Sequence, residues 1–250
     1  MPEPRMAFFD IETAPSLGWY FDLYKEGNIV GTKTPWYMLS FAWKWSGDKT
    51  VHCKSLPDYP SYSKNKEDDS RLVKDLWKLF DDADILIGHN LDRFDVRKAN
   101  TRFLGVGLQP PSPSKTIDTL KISRRVFKQD SNRLAHLGEF LGLGGKRSTS
   151  GWDTWRGCME GDKSSWATMV KYNKRDVTLL EDVYHKLRPW APNHPDLRAY
   201  TGRTGCPACQ SKNVQCRGFN VAKTRKTQRM QCRDCGHWHS GRIIKEPVLA

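Results

Sequence analysis

The stretch Met6-Ala7-Phe8-Phe9-Asp10-Ile11-Glu12-Thr13 constrains this chain more than any other, because an apolar run fit for a buried strand ends in two carboxylates. Side chains alternate along a strand, so Met6, Phe8, Asp10 and Glu12 share one face. Two acids side by side at the end of a hydrophobic strand repel each other and lose hydration unless a cation compensates. The pattern predicts a divalent-metal site of oxygen ligands, whose remaining donors must come from later in the chain.

The 250 residues suffice for one large domain with a small appendage. Residues 14 to 36 form a long connection rich in aromatics: Trp19, Tyr20, Phe21, Tyr24 and Trp36. Tyr37 to Trp45 and Thr50 to Leu56, separated by Ser46-Gly47-Asp48-Lys49, read as a hairpin. The charged stretch from Asp58 to Ser70 reads as an exposed loop without a functional part. Leu72, Val73, Leu76, Trp77 and Phe80 have the spacing of an amphipathic helix over 71–80. Ile85-Leu86-Ile87-Gly88 is a short buried strand, followed by a helix over about 91–104 and a strand near Thr116-Ile117-Asp118. Further helices are expected at 119–127 and 132–143, the second stopped by Gly142-Leu143-Gly144-Gly145. Residues 146–163 look irregular, with Trp152 and Trp155 as anchors, and a long helix is predicted over 165–187. A hairpin joined to strand–helix units predicts a mixed α/β sheet, with ligands gathered at the carboxyl ends of its strands. Asp10 and Glu12 lie at such an end.

Asp95, in Gly88-His89-Asn90-Leu91-Asp92-Arg93-Phe94-Asp95, falls at the carboxyl end of another strand and the start of a helix. A cap is one reading of it. On the long helix, Tyr172 and Asp176 are i,i+4 neighbours in the row Met169, Tyr172, Asp176, Leu180, Val183, which should face the core or its margin. A carboxylate in such a row needs a partner. An arginine is one answer, and a metal site shared with Asp10 and Glu12 accounts for three acids at once.

Asp10-x-Glu12, Asn90-x-x-x-Phe94-Asp95 and Tyr172-x-x-x-Asp176, in this order, resemble the three exonuclease motifs of the DEDD superfamily. The tyrosine in the third places the chain with the tyrosine subgroup, DEDDy, which includes the proofreading exonucleases of DNA polymerases. The resemblance spans roughly residues 6 to 188, and Asp118 and Leu134 to Leu143 are similar to the strand and helix preceding the third motif. It implies an RNase H-like mixed five-stranded sheet flanked by helices, and two-metal hydrolysis from a 3′ end. Carried over, Asp10, Glu12 and Asp176 would hold one Mg²⁺ or Mn²⁺. Asp10 would bridge to a second ion, with Asp95 supporting that side, and Tyr172 would orient the attacking water. Asn90 would position the substrate or an acid ligand, a turn role being the alternative.

Pro189, Pro192 and Pro195 mark the end of this domain, taken as residues 1–195, and residues 200–250 form a second unit. Cys206-Pro-Ala-Cys209 and Cys232-Arg-Asp-Cys235-Gly236 are two C-x-x-C pairs separated by 22 residues. Each pair can wrap one side of a tetrahedral Zn²⁺, and so short a tail has too little core to fold unaided. The tail looks like a zinc ribbon, a redox C-x-x-C being the competitor. Cys216, His237 and His239 are substitute ligands to consider. The compact domain with this tail is similar to stand-alone phage-type exonucleases.

The net charge of +13 points to a polyanionic partner. Ten Lys/Arg against two Asp/Glu fall in residues 200–250, and Lys223, Arg225, Lys226 and Arg229 between the cysteine pairs suit phosphate contacts. A solvated face or a protein-docking surface is the alternative. No apolar run is long enough to span a membrane and no signal-peptide core opens the chain, so an intracellular, cytoplasmic protein is expected, phage-encoded if the likeness extends that far. His136 and His185 are read as ordinary helix residues, and Cys53 and Cys158 as plain buried thiols. The expected activity is 3′–5′ exonuclease on DNA, single-stranded or at duplex 3′ ends, with a polymerase or other replication or repair protein as a partner. An exoribonuclease, and a binding or polymerase-recruiting module with a vestigial nuclease, are the alternatives.

Overall fold

The computed structural model describes residues 2–21, 29–144 and 151–244. Its central sheet has the strands β1 (Met6–Thr13), β4 (Met38–Trp45), β5 (His52–Ser55), β6 (Ile85–Gly88) and β7 (Lys115–Asp118), in the order β5-β4-β1-β6-β7. β1, β6 and β7 run parallel, while β4 lies antiparallel to β1 and to β5. This is the mixed five-stranded sheet expected. A two-stranded hairpin, β2 (Leu17–Trp19) with β3 (Gly31–Thr34), structures part of the long aromatic connection. Tyr24 lies outside the described residues.

Alternation along β1 builds two cores. Ala7, Phe9 and Ile11 enter the core beneath α1 (Ser70–Asp82) and α2 (Asp95–Gly105), and Met6 and Phe8 enter the other, beneath α3 (Thr119–Val126) and α4 (Leu134–Phe140). Phe8 and Phe9 are both fully buried, each contributing about 1.5–3 kcal/mol from burial. α5 (Trp152–Glu160) follows, and then α6 (Lys163–Leu187), which the Asp162 side chain caps by accepting from the Ser165 amide at 2.8 Å. Trp166 and Met169 of α6 belong to the first core, and Val177, Leu180, Val183 and Leu187 to the second. Between those two sets sit Tyr172 and Asp176.

Several local expectations are corrected. Residues 152–160 form the helix α5, started by Gly151 and closed by a left-handed Gly161. The helix after β6 begins only at Asp95, because residues 91–94 form a turn. α4 is shorter than 132–143, ending at Phe140 with Gly142 left-handed beyond it (φ 68°), and Gly145 lies outside the described residues. The end of the 58–70 segment is not solvated. Asp69 is fully buried, accepting from the Met38 amide at 2.8 Å and pairing with Arg102.

Beyond a single helical turn at Arg198–Thr201 lies a separate three-stranded sheet of β8 (Val214–Ala222), β9 (Arg225–Cys232) and β10 (Trp238–Ile244), with β9 central. Among the described residues, no helix is long and apolar enough to cross a membrane.

Candidate active site

The acids predicted from the sequence converge at the carboxyl end of β1. Oxygen atoms of Asp10, Glu12 and Asp176 lie within 4.8 Å of one another. Asp95 comes to the same place differently: its Oδ1 accepts from the Ile11 amide, between Asp10 and Glu12, at 3.3 Å. As the first residue of α2 it also meets the positive end of that helix. Two strand residues, one helix start and one mid-helix position thus meet only because the sheet brings β1 beside β6 and α6 crosses over β1.

The electrostatics are those of buried acids packed against one another. Burial, then the charges of Glu12, Asp95 and Asp176, drives the Asp10 carboxyl well above the usual carboxylate range. Burial followed by Asp176 and Asp95 pushes Glu12 up to about 8. Asp95 is lifted by burial to about 7 despite the Ile11 amide, and burial raises Asp176 as well. Four acids packed so closely cannot all ionise at neutral pH without cations. A hard divalent ion fits such an all-oxygen set.

Tyr172 is hydrogen-bonded to Asp176. Burial, then the negative charges of Asp176 and Glu12, keeps its phenol protonated far past its ordinary range. Its ring meets Trp155 of α5 edge-on at 5.9 Å. Trp155 is therefore the anchor the sequence suggested, whereas Trp152 is 56% exposed and faces a groove of about 550 Å³ beside Thr13, Trp36 and Lys98. The Lys98 ammonium sits 3.6 Å from the centre of the Trp36 ring.

Sequence reasoning missed Asn173. It is fully buried, and its Nδ2 donates to Asp10 Oδ2 at 2.6 Å while its Oδ1 accepts from Ser40 Oγ at 3.2 Å. Cys53, read as a plain buried thiol, is only half-buried and lies 3.8 Å from the same Oδ1. Asn173 follows Tyr172 directly, and an amide on the buried side of a helix is the signal that could have found it.

Asn90 adopts the left-handed conformation (φ 66°), tolerable for Asn and costly for most residues. Its carbonyl accepts from Phe94 N at 3.0 Å, and its own amide donates to Asp118 Oδ1 at 3.0 Å. Asp118 also caps α3 through Leu120 N at 3.0 Å, so one buried carboxylate ties the loop before Asp95 to the next helix. Asn90, Arg93, Phe94, Arg124 and Arg133 line a groove of about 780 Å³ beside this loop.

In the tail, Cys206, Cys209, Cys232 and Cys235 bring their sulfurs within 4.8 Å of one another. The Cys206–Cys235 and Cys209–Cys232 separations are 3.7 and 3.6 Å. Four thiolates at 2.3 Å around a tetrahedral zinc would stand about 3.8 Å apart, so the cage fits the ion. Burial raises Cys206, Cys209 and Cys235 to about 11. At Cys232 burial is outweighed by the Cys235 and Asp234 amides, which bring it down to about 7. Cys216 is exposed, and His237 Nδ1 lies 3.2 Å from the Pro189 carbonyl, so neither joins the cage. Lys223 lies in the β8–β9 turn, Arg225 opens β9, and Lys226 and Arg229 follow along that strand.

A mixed sheet in the order β5-β4-β1-β6-β7, with acids at the carboxyl end of the central strand and helices on both faces, defines an RNase H-like fold. The family model described as RNase_H superfamily matches residues 7–188, and the chain belongs to that superfamily. The chain is also similar to Protein NEN1 of Arabidopsis thaliana, at 29% identity over 168 residues, covering 60% of this chain and 34% of that protein. To Protein NEN3 of the same plant it is 37% identical over 62 residues, 24% of this chain and 12% of that protein. The matches thus span about a third or less of these curated relatives. Among solved structures, the family B DNA polymerase from the hyperthermophilic archaeon Pyrobaculum calidifontis is similar in fold, with a TM-score of 0.55 and 19% identity over 75% of this chain and 25% of that one.

Proposed function

We propose that this protein is a metal-dependent 3′–5′ exonuclease of the DEDDy type acting on DNA, with its tail folded as a zinc ribbon. The observation that carries the reading is the convergence of the Asp10, Glu12 and Asp176 oxygens within 4.8 Å, one helical turn from Tyr172. Membership in the RNase_H superfamily supports nuclease chemistry, and the likeness to a DNA polymerase is in keeping with a DNA substrate.

In this reading Asp10, Glu12 and Asp176 hold one divalent cation, while Asp10 and Asp95 offer oxygens to a second. Mg²⁺ or Mn²⁺ bound there supplies a lowered pKa for the attacking water and neutralises charge on the leaving 3′ oxygen. Tyr172, held neutral, orients the water by hydrogen bonding; so raised a phenol is a poor base. Water adds to the phosphorus, the P–O3′ bond breaks, and the departing 3′ oxygen takes up a proton. Asn173 positions Asp10 by fixing one of its carboxylate oxygens. The exposed ring of Trp152, with Trp36 beside it, offers a surface on which a terminal base can stack. The zinc ribbon, residues 200–250, is a unit distinct from the nuclease domain, residues 1–195, and Lys223, Arg225, Lys226 and Arg229 serve the nucleic acid. A polymerase or another replication or repair protein is the partner this reading proposes.

The test follows 5′- and 3′-labelled single strands and duplexes of DNA, with RNA in parallel, in Mg²⁺ or Mn²⁺. Stepwise shortening from the 3′ end is expected, and Asp10→Ala should lower the rate by more than about a hundredfold. Shortening from the 5′ end, or full activity in Asp10→Ala, overturns the reading. Preference for RNA makes the protein an exoribonuclease with the same site.

A further inference from the structure

The ribbon is attached at the end of the fold opposite the acids. Glu3, just before β1, pairs with Arg203 and accepts from Gln210 Nε2 at 2.6 Å. The Pro189 carbonyl, just past α6, contacts His237, and the Leu197 amide donates to Pro207 O at 2.8 Å. The carboxylates lie at the other end of β1 and half-way along α6. Eleven residues of helix from Asp176 to Leu187 span about 16 Å. Seven residues of extended chain from Glu3 to Asp10 span about 23 Å. The points that hold the ribbon therefore stand about 16–23 Å from the carboxylates.

A basic groove joins the two ends. The groove beside Asn90 is continued, past Arg124, by another of about 520 Å³ between α3 and residues 191–194. Thr116, Ile117 and Asp118 line it, so it runs back along β7 from the carboxyl end of the parallel strands toward the amino end. Its far wall, Ala191 to His194, is bracketed by Pro189 and Leu197, two of the residues that hold the ribbon. Arg124 and Arg125 stand exposed on its near wall, and neither forms an ion pair with a carboxylate among the described residues.

The ribbon itself has two unlike faces. Cross-strand pairing puts Trp238, Gln231 and Gln215 in one row on one face, with Arg229 beside Ser240 in the next and Arg225 further on. Phe219, Met230 and Val221 share the opposite face with Lys226, while Ile243 lies on the first. The first face combines an exposed indole, cations and amides, the composition of a single-strand platform, in which rings stack bases and cations meet phosphates.

Resting on the exonuclease reading above, we propose that the substrate strand leaves the carboxylate centre through this groove and is gripped by the Arg225–Trp238 face of the ribbon. At 3.4 Å per stacked nucleotide, a span of about 16–23 Å places that grip roughly five to seven nucleotides upstream of the scissile bond. Strands shorter than this reach the acids without touching the ribbon.

The experiment measures binding of 5′-fluorescein oligothymidylates of 4 and 20 nucleotides by anisotropy, using the full zinc-loaded chain in Ca²⁺ buffer, with degradation rates in Mg²⁺ alongside. For the 20-mer, Arg124→Ala/Arg125→Ala and Arg225→Ala/Trp238→Ala should each weaken binding about tenfold or more. The first pair should also flatten the slope of log K against log salt by about 1.4, since each phosphate that is no longer neutralised removes about 0.7. Arg124→Lys/Arg125→Lys should keep the slope, and the 4-mer, which passes Arg124 but stops short of the ribbon, should lose affinity in Arg124→Ala/Arg125→Ala and stay within about twofold of wild type in Arg225→Ala/Trp238→Ala. Equal losses at both lengths in Arg225→Ala/Trp238→Ala, or no loss on the 20-mer in either alanine pair, overturn the proposal. A wild-type protein that binds the 20-mer through these residues and degrades neither length retains the groove and removes the exonuclease reading.

Discussion

Asp10 shows how much of a site can be legible in a strand and how much cannot. Alternation placed Asp10 and Glu12 on one face from eight residues of sequence, and the structure keeps them there. The row Tyr172 and Asp176 followed from helical spacing, since both sit between the stretches of α6 that enter the two cores. Asn173 was not legible. Its partners, Asp10 and Ser40, lie 163 and 133 residues away, and nothing local distinguishes an amide that orients a carboxylate from one at the surface. The raised carboxyls carry a pH dependence with a definite sign. Asp10, Glu12, Asp95 and Asp176 hold protons in the folded chain that the unfolded chain releases near pH 4. Their contribution to stability is therefore present below about pH 4 and is lost as pH rises through the folded values, about 7 for Asp95 and about 8 for Glu12. On the proposed reading, a divalent cation replaces those protons. The melting temperature should thus rise little on adding Mn²⁺ at pH 5 and by several degrees at pH 8. Fluorimetric melts across that range check it, and a metal-induced shift independent of pH would sink the account.

At the level of elements, long helices and buried strands were readable, while short elements beside glycines were not. α5 is nine residues long and has Gly151, Gly157 and Gly161 at or within its ends, a composition that argues for a loop. Tertiary packing overrides that preference. Gly157 is buried where α5 crosses α6, and a Cβ there would stand 2.7 Å from the Ser165 Cβ. The glycine thus permits the close approach that seats Trp155 against Tyr172. Gly157→Ala should destabilise the protein by about 1–3 kcal/mol through overpacking, measured by urea unfolding. It should also slow hydrolysis by displacing Tyr172. A variant as stable as wild type means that α5 has room to shift.

On the scale of the whole molecule, the cysteine spacing pointed to a cluster of four thiols, and the structure brings those four sulfurs within 4.8 Å of one another. The attachment was not legible, because Glu3, Pro189 and Leu197 carry no motif, and Glu3 lies 200 residues from its partner Arg203. The ribbon core among the described residues consists of Cys206, Ala208 and Cys232, with Cys209, Val214 and Cys235 packed around them. On the proposed reading, so small a cluster needs a metal to hold it. One zinc per chain is expected by atomic absorption. A strong chelator should melt residues 200–250 while leaving the main domain's thermal transition in place. Retention of ribbon structure after complete zinc loss would refute the metal staple.

The sharing of α6 between the two cores has a further consequence. Tyr172 and Asp176 sit on a continuous helix that Trp166 and Met169 tie to one face of the sheet and Val177, Leu180 and Val183 to the other. Drawing Asp176 away from Asp10 strains both cores, so the geometry of the acid cluster inherits the cooperativity of the whole domain. If the proposed reading holds, what moves during turnover is the nucleic acid and the loops around it, while the acids act as a fixed anvil.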